Sequence, residues 1–348
     1  MFSLGCSPAV PKDVRTTAPV ASASHGDEKP TDKPSQPLLA VQKTKGCGVK
    51  PTQELGTFVK HSLDTSGTKA ADCAAKDKDS KPVCGPWSVA REYYVWLPAD
   101  YDSNRAYPLV FQGPGCHGSG TDVYTLASDA GPGVGNGVIR IGLTPPPVSV
   151  GHGTNPNQSC FDDKEGDDSV DFVLYERLRD TLKEQLCYDE NRVFAVGNSS
   201  GSWLANELAC KYSGDTRGYG LRGIVANTGG LPTEAAYRPT CSNAPMSGLW
   251  VHELGDPGNP FSGSVVAINR ALTTNGCSSK SYETAQFENY PIGGGNPDTT
   301  CKLIQGCPEL YPLVVCALPG NAHAPHDSIV NPAASTFLSS FLKPPFAN

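Results

Sequence analysis

The sequence predicts an α/β fold with a mainly parallel central sheet and helices on both faces. Three observations carry that expectation. Short runs of consecutive apolar residues recur along the chain, the pattern of strands buried on both sides. Stretches with apolar residues at helical spacing lie between several of them. The chain has 348 residues, 38% hydrophobic and 18% charged, which suits one large domain with an extension.

The elements follow in order. Residues 1–45 are rich in Pro, Ser, Ala, Thr and Lys and lack a hydrophobic period. They read as a flexible exported linker or a processed N-terminal segment, which leaves 46–348 as the folded domain. Thr57-Phe58-Val59 is a short strand in a polar run. Residues 91–97 form a strand closed by Pro98. Residues 107–112 form another, running into Gly113-Pro114-Gly115, and 137–142 a third. From 167 to 186, Val170, Phe172, Val173, Leu174, Leu178, Leu182 and Leu186 keep roughly helical spacing, with Asp167 and Asp168 suited to the first turn. A strand at 192–196 is followed by a helix at 201–210. Later strands are expected at 221–226, 249–252 and 313–316, and later helices at 261–272 and 333–341. The Gly-rich stretch 131–137 lacks G-K-[ST] and reads as a loop, not a phosphate cradle. Trp87, Trp96, Trp203 and Trp250 suit either the core or a pocket wall.

Thirteen cysteines are dispersed without a C-x-x-C pair, beside only seven histidines. That argues against zinc or iron–sulfur binding and for a disulfide-bonded protein at the cell surface or outside the cell. The odd cysteine is Cys6, in Ser3-Leu4-Gly5-Cys6, which looks like a bacterial lipoprotein processing site. Lipidation of Cys6 would leave twelve for pairing. Five residues cannot form a signal peptide, so that reading needs a start further upstream. No later stretch is long enough for a membrane span, so a lipid on Cys6 is the one expected membrane link. The net charge of -7, without a basic run, argues against nucleic acid as a partner.

The chemistry centres on Gly197-Asn198-Ser199-Ser200-Gly201, a G-x-S-x-G pattern. Apolar residues precede it and a helical stretch follows, the setting of a nucleophile elbow in an α/β-hydrolase fold. Ser199 is therefore the candidate nucleophile; Ser200 is a rival by composition but lies one place off the glycine frame. A serine needs a base, and the base an orienting acid, which follow the serine in chain order in this fold. Asp256 comes after the apolar run ending at Val251 and is the candidate acid. His323, on a loop after the late strand, is the favoured base, with His326 as the alternative. The Ser200 amide is one candidate oxyanion donor. The second belongs on Gly113-Pro114-Gly115-Cys116-His117-Gly118, where Pro114 has no amide hydrogen. The amide of Cys116 is favoured over that of Gly115, and His117 suits a pocket or structural role. This chemistry calls for no metal or organic cofactor.

Several segments extend the pattern. They are Gly46-Cys47-Gly48, Arg91-Glu92-Tyr93-Tyr94 with Leu97-Pro98-Ala99-Asp100-Tyr101-Asp102, and the run from Leu186-Cys187-Tyr188-Asp189 to Ser199. Leu208-Ala209-Cys210, Asn275-Gly276-Cys277, Gly306-Cys307 and the His323 loop complete it. From about residue 46 to 341 the chain resembles the feruloyl esterase and polyhydroxyalkanoate depolymerase-like group of exported esterases. The resemblance implies a catalytic domain over 46–348 that hydrolyses esters through Ser199, Asp256 and His323. It implies an ester substrate carried on polysaccharide or polyester: feruloyl esters first, acetylated xylan or polyhydroxybutyrate as alternatives. Three departures stand out. The family's His-Gly before the oxyanion residue is Pro114-Gly115 here, its His-Gly near the acid is His252-Glu253, and a glycine usual after the elbow is Ser202. The altered oxyanion loop also fits a non-catalytic binding module on a hydrolase fold. A peptidase or acyltransferase on the same fold is a further alternative.

Overall fold

A computed structural model describes residues 39–65, 90–122, 137–146, 159–161, 166–292 and 301–341. Its centre is a ten-stranded sheet. The strands are β1 (Phe58–Asp64), β2 (Ala90–Trp96), β3 (Tyr107–Gly113), β4 (Ile139–Leu143) and β5 (Tyr188–Asn198). They continue with β6 (Gly223–Asn227), β7 (Ser247–Glu253), β8 (Phe287–Asn289), β9 (Cys301–Ile304) and β10 (Leu313–Leu318). The spatial order is β1-β2-β4-β3-β5-β6-β7-β10-β9-β8. The middle, from β4 through β3, β5, β6 and β7 to β10, is parallel. Both ends are antiparallel: β1 and β2 at one, β9 and β8 at the other.

The unbroken apolar runs have a physical reason. Alternate residues of each central strand enter separate cores on the two faces of the sheet. Leu109 and Phe111 of β3, Val193 and Ala195 of β5, and Trp250 of β7 face one core. Val110, Phe194, Val196, Leu249 and Val251 face the other. Helices α1 (Val170–Gln185), α2 (Ser200–Tyr212) and α3 (Phe261–Thr274) pack in the first, through Leu178, Leu204 and Ile268 among others. Helix α4 (Asp327–Ser340) fills the second with Val330, Ala333 and Phe337. This is the α/β-hydrolase architecture, with helices on both faces as expected.

Several boundaries differ from the sequence reading. Helix α1 starts at Val170, not 167, because the Ser169 side chain accepts from the Asp171 amide and caps it; Gly166–Asp168 form a separate 3-10 turn. Helix α4 starts at Asp327 and carries Pro332 inside it, where a proline is ordinarily read as a start or a break. Strand β5 starts four residues early, at Tyr188, since Tyr188 already pairs with Tyr107. The short strands β8 and β9 at one end of the sheet were not anticipated; they are three and four residues long and only partly buried.

Among the described residues, five disulfides join Cys47 to Cys187, Cys116 to Cys160, Cys210 to Cys241, Cys277 to Cys307 and Cys301 to Cys316. Every cysteine among the described residues is thus paired. Cys6, Cys73, Cys84, Trp87, most of the N-terminal segment and residues 131–136 lie outside the described residues. Among the described residues no helix is long and apolar enough to cross a membrane, and no cluster of side chains could hold a metal ion.

Candidate active site

Three consecutive parallel strands and the last one, β10, end at the same edge, and the predicted residues gather there. The turn from β5 into α2 carries Ser199 at φ 50° and ψ -117°, a conformation that costs a non-glycine residue energy. The flanking glycines permit it. A Cβ on Gly197 would stand 2.0 Å from the Gly201 carbonyl oxygen, and one on Gly201 would stand 2.0 Å from that of Gly113. The Ser199 amide donates to the Asn227 carbonyl at 2.9 Å. Ser202, where the family pattern has glycine, puts its hydroxyl 2.7 Å from the Gly197 carbonyl and 2.6 Å from that of Asn227. It ties the elbow to the end of β6. Ser200, the rival serine, is fully buried as the first residue of α2.

Ser199 Oγ lies 2.9 Å from His323 Nε2, and His323 Nδ1 lies 2.8 Å from Asp256 Oδ2. Asp256 sits on the loop after β7, with its other oxygen accepting from the amides of Gly258 and Asn259 at 2.8 and 2.9 Å. Burial pushes the Asp256 carboxyl up, but the Asn259 amide, His323 and the Gly258 amide outweigh it and hold it below the usual carboxylate range. A serine, an imidazole and a charged carboxylate thus stand in one hydrogen-bonded line. His326 does not join it: its Nε2 lies 3.0 Å from Glu253 Oε1.

Sequence reasoning missed a second histidine here. His252, the penultimate residue of β7, is buried with Nε2 2.7 Å from the Asn259 carbonyl and 3.3 Å from Asp256 Oδ2. A carbonyl only accepts, so Nε2 carries the proton and Nδ1 accepts from the Ser264 hydroxyl at 2.7 Å. Burial pushes the His252 pKa down, which keeps the ring neutral. Its place in the site was hidden because His252 reads as the end of an apolar strand.

The loop after β3 abuts the nucleophile: a Cβ on Gly115 would lie 3.3 Å from Ser199 Cβ. The His117 amide donates to the Ser159 carbonyl at 2.6 Å and that of Gly118 to Gly115 at 3.1 Å. With Pro114 lacking a donor, Gly115 and Cys116 are the amides left to the turn, and Cys116 is bonded to Cys160. On the other side of Ser199 is a cavity of about 300 Å³ lined by Trp203, Leu231, Pro232, Gly258, Asn259 and Pro260, with no charged side chain in its wall. None of the three reacting groups lines it, but its wall adjoins them. A Cβ on Gly258 would stand 3.0 Å from the His323 ring, and the Trp203 amide donates to the Ser199 carbonyl. The other two described tryptophans are placed elsewhere. Trp250 is buried and donates to Asn206 at 3.0 Å, and Trp96 stacks with Arg140.

No protein-family profile matches the chain. Curated relatives do. A probable feruloyl esterase C of Aspergillus niger is 27% identical over 204 residues, 56% of this chain and 66% of the relative. One of Aspergillus terreus is 26% identical over 249 residues, 69% of this chain and 72% of the relative. Feruloyl esterase D of Neurospora crassa is 26% identical over 294 residues, covering 83% and 84%. The chain spans just under two thirds of the length of the first of these. Among solved structures, an acetyl xylan esterase from Aspergillus awamori matches with a TM-score of 0.48 and 13% identity, over 82% of this chain and 100% of that one. In sequence the chain is thus similar to feruloyl esterases C and D, and in fold it has the α/β-hydrolase architecture.

Proposed function

We propose that the chain is an exported serine esterase that hydrolyses carboxylic esters through Ser199, His323 and Asp256. The observation that carries this reading is the unbroken line from the strained Ser199 through His323 to a buried Asp256 held below the usual carboxylate range. His323 takes the Ser199 proton as Oγ attacks the ester carbonyl. The amides of Ser200 and Cys116 receive the developing oxyanion, the first of them at the free N-terminal end of α2. His323 then protonates the departing alcohol. Water, deprotonated by His323, attacks the acyl-enzyme and releases the acid. The five disulfides support an extracellular setting.

Feruloyl or related hydroxycinnamoyl esters of plant polysaccharide are the substrate class that the relatives favour. The uncharged cavity beside Trp203 suits the acyl group, since a flat aromatic ring gains from an indole and proline wall. Two measurements test the reading. A fluorophosphonate probe should label wild-type protein at Ser199 and leave Ser199→Ala unlabelled; an unlabelled wild type would make the fold a non-catalytic module. A hydrolysis screen should rank methyl ferulate above acetylated xylan and polyhydroxybutyrate. Preference for either polymer would keep the esterase and replace its substrate.

A further inference from the structure

His323 stands on a stretch, residues 319–326, that is neither helix nor strand, and its side chain is one-third exposed. Packing alone does little to fix such a ring. The stretch is instead tied to the end of β7. The Leu254 amide donates to the Leu318 carbonyl at 3.0 Å, and that of Gly255 to the Gly320 carbonyl at 2.9 Å. Beyond these ladder-like bonds, Asn227 Nδ2 of β6 donates to the Pro325 carbonyl, and one side chain of β7 reaches the loop as well. Glu253, the last residue of β7, is buried at 7% exposure. Its Oε2 accepts the Ala322 amide at 2.5 Å, and its Oε1 lies 3.0 Å from His326 Nε2. One carboxylate therefore bonds the loop one residue before His323 and lies against it three residues after, where His326 Nε2 makes no aligned hydrogen bond. Gly320 has given way to it: at φ 153° it takes a conformation side chains avoid, and a Cβ there would stand 2.3 Å from Glu253 Oε2.

We infer that Glu253 is a positioning residue for the proposed reaction: it clamps the loop through the Ala322 amide, next to His323, so that Nε2 stays within reach of Ser199. A buried carboxylate is costly unless it is satisfied, and here Oε2 is spent on the one loop that carries the base while Oε1 faces that same loop. The inference rests on the triad reading above. Loss of the clamp leaves His323 its bond to Asp256 but lets the backbone beneath it drift, and a displacement of about 1 Å at a reacting group can cost on the order of a hundredfold. The clamp touches no substrate, so its loss should appear in kcat and not in KM.

The test uses the full chain with methyl ferulate, on four variants. Glu253→Ala removes both the bond and the His326 contact, and kcat should fall by about tenfold to a hundredfold with KM within about twofold. Glu253→Gln keeps a carbonyl oxygen for the Ala322 amide and should retain more kcat than Glu253→Ala. His326→Ala removes only the contact and should lose only a few-fold. Circular dichroism melts confirm that each is folded; if Glu253→Ala is not, Glu253→Gln combined with His326→Ala replaces it. Ser199→Ala separates the two levels of the claim. If Ser199→Ala is dead while folded Glu253→Ala keeps wild-type kcat, the clamp is wrong and the esterase stands. A rise in KM without a fall in kcat, or Glu253→Gln no better than Glu253→Ala, also overturns the clamp. An active Ser199→Ala overturns both.

Discussion

Two histidines three residues apart face different carboxylates, and the proposed proton path needs only one of them. His323→Ala removes the base between Ser199 and Asp256 and should lower kcat by at least about a thousandfold. A folded His323→Ala with near wild-type kcat would reject that assignment. Asp256→Asn should also cost heavily, because its amide no longer supports the imidazolium that forms during attack. His252 gives a separate signature, in stability. Its folded pKa is pushed below the ordinary value of about 6.5, so near that pH the unfolded chain binds the extra proton more readily. Stability should therefore fall as pH drops below about 6.5, and His252→Gln should flatten that slope in melts followed by circular dichroism. A slope equal to wild type would show that another group titrates there. Ser199, Asp256 and His323 were legible because the fold dictates their order and their places after strands. Glu253 was visible only as a departure from a family pattern, since the amide it accepts lies 69 residues further on.

At the scale of elements, the elbow and the loop facing it form one unit. Gly201 backs directly onto the Gly113 carbonyl, so Gly201→Ala forces α2 away from β3. Denaturant unfolding should show a loss of about 1–3 kcal/mol or more, and an unchanged midpoint would mean the contact is looser than drawn. The Cys116 loop is anchored twice, by the bond to Cys160 and by the His117 amide on Ser159. Replacing Cys116 and Cys160 by serine leaves the second anchor, so kcat should fall by about tenfold, short of the hundredfold or more expected when an oxyanion donor is deleted. No change in kcat would place the donor elsewhere, with Gly115 next in line. The central strands were legible because burial on both faces forces continuous apolar runs. The short strands β8 and β9 were not: at the edge, Phe287-Glu288-Asn289 is mixed in character and takes its form from its neighbour. The early start of α4 was hidden by Pro332, which tertiary packing in the second core overrides.

At the scale of the molecule, the largest covalent loop among the described residues is closed by Cys47–Cys187, at a sequence separation of 140. Replacing both by alanine should cost about 2–5 kcal/mol of unfolding free energy, measured by denaturant titration under oxidising conditions. A loss within error of zero would mean the loop is already constrained in the unfolded chain. That cysteines pair was legible from their number and spread; which ones pair was not, since spacing along a chain does not reveal neighbours across a sheet. The pairing has one further consequence. Cys277–Cys307 and Cys301–Cys316 overlap in sequence, and Cys116–Cys160 nests inside Cys47–Cys187. A single peptide-bond cut within 47–187, 210–241 or 277–316 therefore leaves one covalent body. Past Cys47, by these five bridges, a cut that frees a fragment must fall in 187–210, in 241–277 or after 316, the three stretches that carry Ser199, Asp256 and His323. On a non-reducing gel, a protease nick elsewhere past Cys47 would run as intact chain, and every fragment released by a cut in that region would report an opening on a segment that bears one of the three reacting groups.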